Sequence, residues 1–180
     1  MTIDELLRAQ DATFASMRAS TLPAIAVMMP APRSTAYVHP GRMFFSAEPH
    51  DVSTILGSCV AVCLWDAVSG IGGLNHYMLP TGGANPSDPR YGTYAIPRLI
   101  ESVLALGASR VHLQAKLFGG ARVLRELQPR EGGLGQRNIE LAQQLLDRER
   151  VPVVFEDVGG QSGRKLIFRT DDGMASVRRL

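Results

Sequence analysis

The sequence predicts an α+β fold: mixed, largely antiparallel β-sheets in a layered sandwich flanked by helices. Three observations predict it. Short apolar and β-branched runs such as Val60–Trp65 are bounded by turn residues, which is how strands read. Two longer segments, Tyr94–Leu106 and Asn138–Arg148, repeat apolar residues at helical spacing. Strands and helices are mixed without the strict alternation of a parallel α/β fold. The 180 residues suit one domain with a full core.

Taken in order, Thr2-Ile3-Asp4-Glu5 reads as a capping box that opens an amphipathic helix to about Met17. The proline-bearing stretch to Pro40 reads as a linker or an arm lying on the domain. Arg42–Ser46 is a short strand, Glu48-Pro49-His50-Asp51 a turn, and Ser53–Leu56 the approach to a loop at Gly57-Ser58-Cys59. Val60–Trp65 is a buried strand, Asp66–Gly70 supplies turn chemistry, and the run from Ile71 carries His76. Thr81–Arg90 holds two prolines and two glycines and reads as a surface loop close behind His76. The helix over Tyr94–Leu106 turns Ile96, Leu99, Ile100, Val103 and Leu104 to one side. Val111–Phe118 is a strand ending at Gly119-Gly120, and Ala121–Leu127 a short helix. The helix over Asn138–Arg148 has Ile139, Ala142, Leu145 and Leu146 on one face. Strands follow at Val151–Glu156, Lys165–Arg169 and Met174–Val177, with no internal repeat.

Composition excludes several classes of function. The net charge is only +2 with 20% charged residues, so no strong field for nucleic acid or membrane is implied. Arg164, Lys165, Arg169, Arg178 and Arg179 are interleaved with Asp157, Asp171 and Asp172, which reads as a solvated β edge. Two cysteines four residues apart on a strand sit about 13 Å apart, too far for a disulfide, which suits a reducing cytoplasm. The first residues carry Asp4 and Glu5 and no long apolar run, so no signal peptide is read. Leu22–Pro32 is apolar but short and broken by prolines, so no membrane insertion is expected. Nothing in the sequence demands more than a monomer.

The chemistry concentrates in one hairpin. Cys59 follows Gly57-Ser58 at a strand mouth, and His76 lies on the next strand. A thiol and an imidazole on neighbouring strands suit a cysteine nucleophile. If the intervening loop has an even number of residues, Cys59 and His76 share a face, directly opposite or one diagonal apart. An odd loop without a bulge puts them on opposite faces, and Gly72-Gly73 is a bulge candidate. Cys63 falls mid-strand among large apolar residues, where a thiol acts as a small hydrophobe. At Gly57 and Ser58, backbone N–H groups are free to stabilise a thiolate or an oxyanion. A free thiol titrates near about 8.5, and a neighbouring imidazolium lowers that value, so the expectation is a sulfur ionised by the ring. The plainer reading makes both cysteines core residues.

Other motifs carry less. Gly159-Gly160-Gln161-Ser162-Gly163-Arg164-Lys165 lacks phosphate-loop spacing, lacks Ser or Thr after the lysine, and precedes a strand. Gly133-Leu134-Gly135 lacks the third glycine of a dinucleotide site. His39, His50, His76 and His112 show no paired-ligand spacing with the cysteines, so neither metal nor cofactor is expected.

Four blocks in order resemble the chemoreceptor glutamine deamidase family, CheD. They are Leu56–Val62 with His76 near Met78-Leu79-Pro80, then Ala115–Ala121, then Gly135–Ile139, then Glu156–Gly160 with Gly163-Arg164-Lys165. The resemblance spans about His39 to Leu180. It implies residues 1–38 as a helix and linker extension and 39–180 as a single catalytic domain. It also implies a cysteine, a histidine and an upstream hydroxyl as catalytic positions. Cys59 and His76 match the first two and Thr54 the third, with Ser53 aligned instead if the loop differs by one. The implied reaction hydrolyses glutamine side-chain amides, and possible glutamate methyl esters, in methyl-accepting chemotaxis receptors through a thioester. Receptors are the implied substrate and a CheC-type phosphatase an implied partner. Two other readings stand beside it: a non-catalytic module docking to receptors or to such a phosphatase, and a protease or transglutaminase-like enzyme on the same dyad.

Overall fold

The computed structural model describes residues 33–82, 87–122 and 133–180. Among them, β1 (Ser34–Tyr37), β3 (His50–Leu56), β8 (Arg164–Arg169) and β9 (Ala175–Arg179) form a four-stranded sheet in that spatial order. A five-stranded sheet runs β2 (Arg42–Ser46), β5 (Ile71–His76), β4 (Val60–Asp66), β6 (Leu113–Gly119) and β7 (Val153–Val158). The pairs β1/β3 and β6/β7 are parallel and the other pairs antiparallel. Helices α1 (Gly92–Ala105) and α2 (Leu134–Arg148) lie on the five-stranded sheet. The expected α+β sandwich is therefore what forms.

Strand β4 shows why the layers stack this way. Every residue from Val60 to Asp66 is buried. Val60, Val62 and Leu64 pack with Ile96, Leu99 and Leu146 of the helices. Ala61, Cys63 and Trp65 alternate to the other face, against Leu56, Leu166 and Phe168 of the four-stranded sheet. A strand covered on both faces reads as a continuous apolar run, and each large side chain so buried contributes about 1.5–3 kcal/mol.

The hairpin register follows from Asp66. Its Oδ1 accepts the N–H groups of Val68 and Ser69, and its carbonyl accepts that of Gly70, which adopts φ +68°. Its Oδ2 accepts from Ser109 N–H. This carboxylate closes a four-residue turn, Ala67–Gly70. Gly72 and Gly73 form no bulge, and the ladder through them is regular. They serve close approach: a Cβ at Gly72 would stand 2.3 Å from the Thr170 carbonyl oxygen, and one at Gly73 2.7 Å from that of Phe44.

Several expectations are corrected. Ser34–Tyr37 lies in the stretch read as a linker, yet it is β1, paired with β3. His50 and Asp51, read as turn, open β3. Helix α2 begins at Leu134, four residues before the expected start. The helix expected to Met17, and the part of the Ala121–Leu127 helix beyond Arg122, lie outside the described residues. No helix among the described residues is long and apolar enough to cross a membrane.

Candidate active site

The regular turn decides where Cys59 and His76 point. The β4/β5 ladder and the separate Val60–Tyr77 bridge keep one register, so Ala61 falls opposite His76. Cys59 is then one diagonal away on the same side, a Cα spacing of about 7–8 Å. Both face the space between the sheets. Cys59 packs against that layer's apolar cluster, and His76 meets Thr54, a buried residue of β3 in the opposing sheet.

The hydrogen bonds fix the tautomer of His76. Thr54 donates its hydroxyl hydrogen to the Val38 carbonyl at 2.7 Å. Its oxygen therefore accepts from Nδ1–H of His76, 2.8 Å away. Nε2 is left unprotonated, buried, and without a hydrogen-bond partner among the described residues. Ser53, the alternative position, instead bonds the Ala36 carbonyl at 3.4 Å.

The resting pair is neutral, unlike the ion pair expected from sequence. Burial lowers the His76 pKa to about 4, against the nearby Val38 carbonyl, which favours the charged ring. Burial also raises the Cys59 thiol, and the N–H of Cys59 itself pulls it back. Cys63 is fully buried, and burial drives its thiol well above the ordinary value despite Lys116 nearby. Both cysteines are free.

The loop before β4 is held from outside at three consecutive carbonyls. Gly57 accepts from Ala121 N–H and Cys59 from Gly120 N–H, each at 2.8 Å. Ser58 accepts from the side-chain amide of Asn138 at 3.1 Å. Gly119 has no room for a side chain, since a Cβ there would stand 2.2 Å from the Cys59 carbonyl oxygen, and its φ is +106°. The Gly119 carbonyl accepts in turn from Gly159 N–H at 2.8 Å. Buried Arg164 anchors that segment through the Asp157 and Gly159 carbonyls and an ion pair with Asp157.

Two functional candidates were not legible as such. Asn138 stands at the start expected for the second helix, but it lies inside α2 with its side chain fully buried. Asn75 lies in the strand run from Ile71; its Oδ1 accepts from Val62 N–H at 3.0 Å, replacing the main-chain pairing one residue before His76. Among the described residues, no group of three or more His, Cys, Asp or Glu could hold a metal ion.

Residues 78–179 match a family model described as CheD chemotactic sensory transduction. A probable chemoreceptor glutamine deamidase CheD 1 of Anaeromyxobacter dehalogenans is 49% identical over 148 residues, 82% of this chain and 86% of that one. A probable chemoreceptor glutamine deamidase CheD of Trichlorobacter lovleyi is 46% identical, covering 79% of this chain and 89% of its own. Another so described, from Stenotrophomonas maltophilia strain K279a, is 39% identical over 98% of this chain and 80% of its own. An alignment of that extent spans Thr54, Cys59 and His76, which the family-model match, starting at residue 78, does not reach.

Proposed function

This chain belongs to the CheD family, and we propose that it deamidates glutamine side chains of chemoreceptors with Cys59 as nucleophile, His76 as base and Thr54 as the group that orients the base. The observation that carries the reading is the buried Nε2, without a partner among the described residues, of a ring whose other nitrogen is tied to Thr54, on the face shared with Cys59. The Cys59 sulfur attacks the carboxamide carbon while its proton passes to Nε2. The carbonyl oxygen gains the charge, and in this reading the N–H groups of Cys59 and Ser58 receive it. The imidazolium returns the proton to the departing nitrogen, ammonia leaves, and a thioester forms. Water then loses a proton to His76 and attacks. The tetrahedral adduct expels the sulfur, which recovers the proton, and glutamate is released. A neutral resting pair keeps the thiol from oxidation until substrate brings the charge-forming step.

The catalytic unit in this reading is residues 39–180, with β1 of the extension adding an edge strand. The resemblance to the family also supports a CheC-type phosphatase as a second partner and a cytoplasmic monomer as the working form. The test is incubation of the full chain and its Cys59→Ala variant with a receptor cytoplasmic fragment. Wild type should add about 1 Da per converted glutamine by mass spectrometry, and the variant none. Equal conversion by both would eliminate the thiol mechanism.

A further inference from the structure

The Asn138 side chain ties together the two chain segments that carry the reacting groups. One nitrogen, Nδ2, donates to the Ser58 carbonyl at 3.1 Å and to the Met78 carbonyl at 3.0 Å. Ser58 precedes Cys59, and Met78 stands two residues beyond His76. The side chain is fully buried, and its Oδ1 has no partner among the described residues. The helix that supplies it is docked closely at this end. A Cβ at Gly135 would stand 2.3 Å from the Gly120 carbonyl oxygen, and the Tyr77 hydroxyl donates to the Asn138 carbonyl.

Peptide planarity turns this tether into control of the nucleophile. In a trans peptide the carbonyl and the following N–H point in opposite directions. Holding the Ser58 carbonyl toward α2 therefore aims the Cys59 N–H away from it. That N–H belongs to the residue that carries the sulfur, and it favours the thiolate against burial. We propose that Asn138 is a positioning residue for the deamidation site, fixing the Ser58–Cys59 peptide beside the sulfur and holding it in step with the strand end that carries His76. The proposal rests on the reading of Cys59 as nucleophile. No other short side chain fills the role. Serine offers one hydrogen where two are used, aspartate sets acceptors against two carbonyls, and alanine takes the donor from both part-buried carbonyls.

The experiment measures alkylation of Cys59 by iodoacetamide against pH in the full chain, with peptide mass spectrometry separating Cys59 from Cys63. Asn138→Ala should raise the alkylation midpoint by about one pH unit. Its kcat on a receptor fragment should fall roughly ten- to a hundredfold with KM changed less than about twofold. Leu146→Ala, a buried change two turns along α2, should lower thermal stability and leave the midpoint in place. A folded Asn138→Ala chain with an unshifted midpoint overturns the proposal, as does an equal shift from Leu146→Ala. If Asn138→Ala does not fold, the wild-type chain still decides. Its Asn138 side-chain amide should exchange with solvent at least about a hundredfold slower than a free amide and shift on alkylation of Cys59. Fast exchange or an unmoved resonance overturns the tether. The alkylation midpoint needs no receptor, so a wild-type chain that fails to deamidate sinks the functional reading, whereas an unshifted midpoint in a chain that deamidates sinks the role of Asn138 alone.

Discussion

Cys59 and Cys63 sample two regions of one layer. Both come from the same hairpin limb, and both pack into the space between the sheets. Cys63 stands in the interior, between Leu74 on β5 and Lys116 on β6, with no solvent exposure. Cys59 stands at the mouth, half-buried, where β4 has not yet begun and glycines bring the backbone close. Burial raises both thiols; at the mouth the Cys59 N–H opposes it, and in the interior the charge of Lys116 does. The chemistry of a cysteine here is set by its depth in the layer, since hairpin limb, face and residue type are shared.

The sharpest way to break this comparison is to delete each thiol in turn. Cys59→Ala should lower deamidation by about a thousandfold or more, because no other group takes the acyl intermediate. Cys63→Ala should keep activity within about threefold and cost about 1–2 kcal/mol in urea unfolding from the small cavity it leaves. Comparable activity losses from both would mean the interior and the mouth are not separable.

Acid tests the interior's low polarity through His76. Its folded-state pKa of about 4 lies below the ordinary 6.5, so the unfolded chain binds the proton first as pH falls. Stability from this group is full above pH 6.5 and is lost on descending to about 4. The loss is on the order of 3 kcal/mol. Urea unfolding at pH 7 and pH 4.5 should show that drop in wild type and a smaller one in His76→Gln. The same drop in both chains would remove His76 as its source.

Thr54 probes the boundary between the two regions, since it reaches from the opposing sheet. Thr54→Val keeps the shape and removes the acceptor that holds Nδ1–H, so the ring loses its tautomer and aim. A fall in kcat of about ten- to a hundredfold is expected. Thr54→Ser should recover most of it. Equal kcat for wild type and Thr54→Val would show the hydroxyl to be structural only.

How legible this was in the sequence differs by element. The hairpin was readable because its register depends on local chemistry, an apolar run and a turn that Asp66 closes with its own side chain. The helical faces were readable because period and burial coincide, as Ile96, Leu99, Ile139 and Leu146 show. Strands β1 and β3 were obscured because their pairing is non-local: β1 lies parallel to β3 across an intervening strand, and β3 alternates Asp51 and Ser53 with buried Val52 and Thr54. The start of α2 was placed at Asn138 because the apolar period begins at Ile139, whereas the helix starts earlier, at Leu134, where Gly135 packs against Gly120. Contacts between sheets leave no period in a single chain, so the Thr54–His76 bond was named by resemblance and not by spacing.

The smallest effect is expected at Lys116, and it sharpens the comparison from the interior side. Lys116 pairs with Cys63 across β4 and β6, and its ammonium group has further partners. It lies 4.8 Å from the Trp65 ring centroid and donates to the Gly173 carbonyl at 2.7 Å. The lysine thus closes the end of the layer away from the mouth, spending its charge on a ring and a turn. Lys116→Met retains the apolar stem and removes the cation–π contact and the hydrogen bond, so a loss of about 1 kcal/mol in thermal unfolding is expected. Removing the positive charge also withdraws the one influence that lowers the Cys63 thiol, making that cysteine less reactive still. Because the charge acts on the fully buried sulfur and not on the half-buried one, kcat/KM and the alkylation midpoint of Cys59 should stay at wild-type values. A tenfold fall in kcat/KM at unchanged fold would show that the interior transmits to the mouth, and depth alone would then not separate the two thiols.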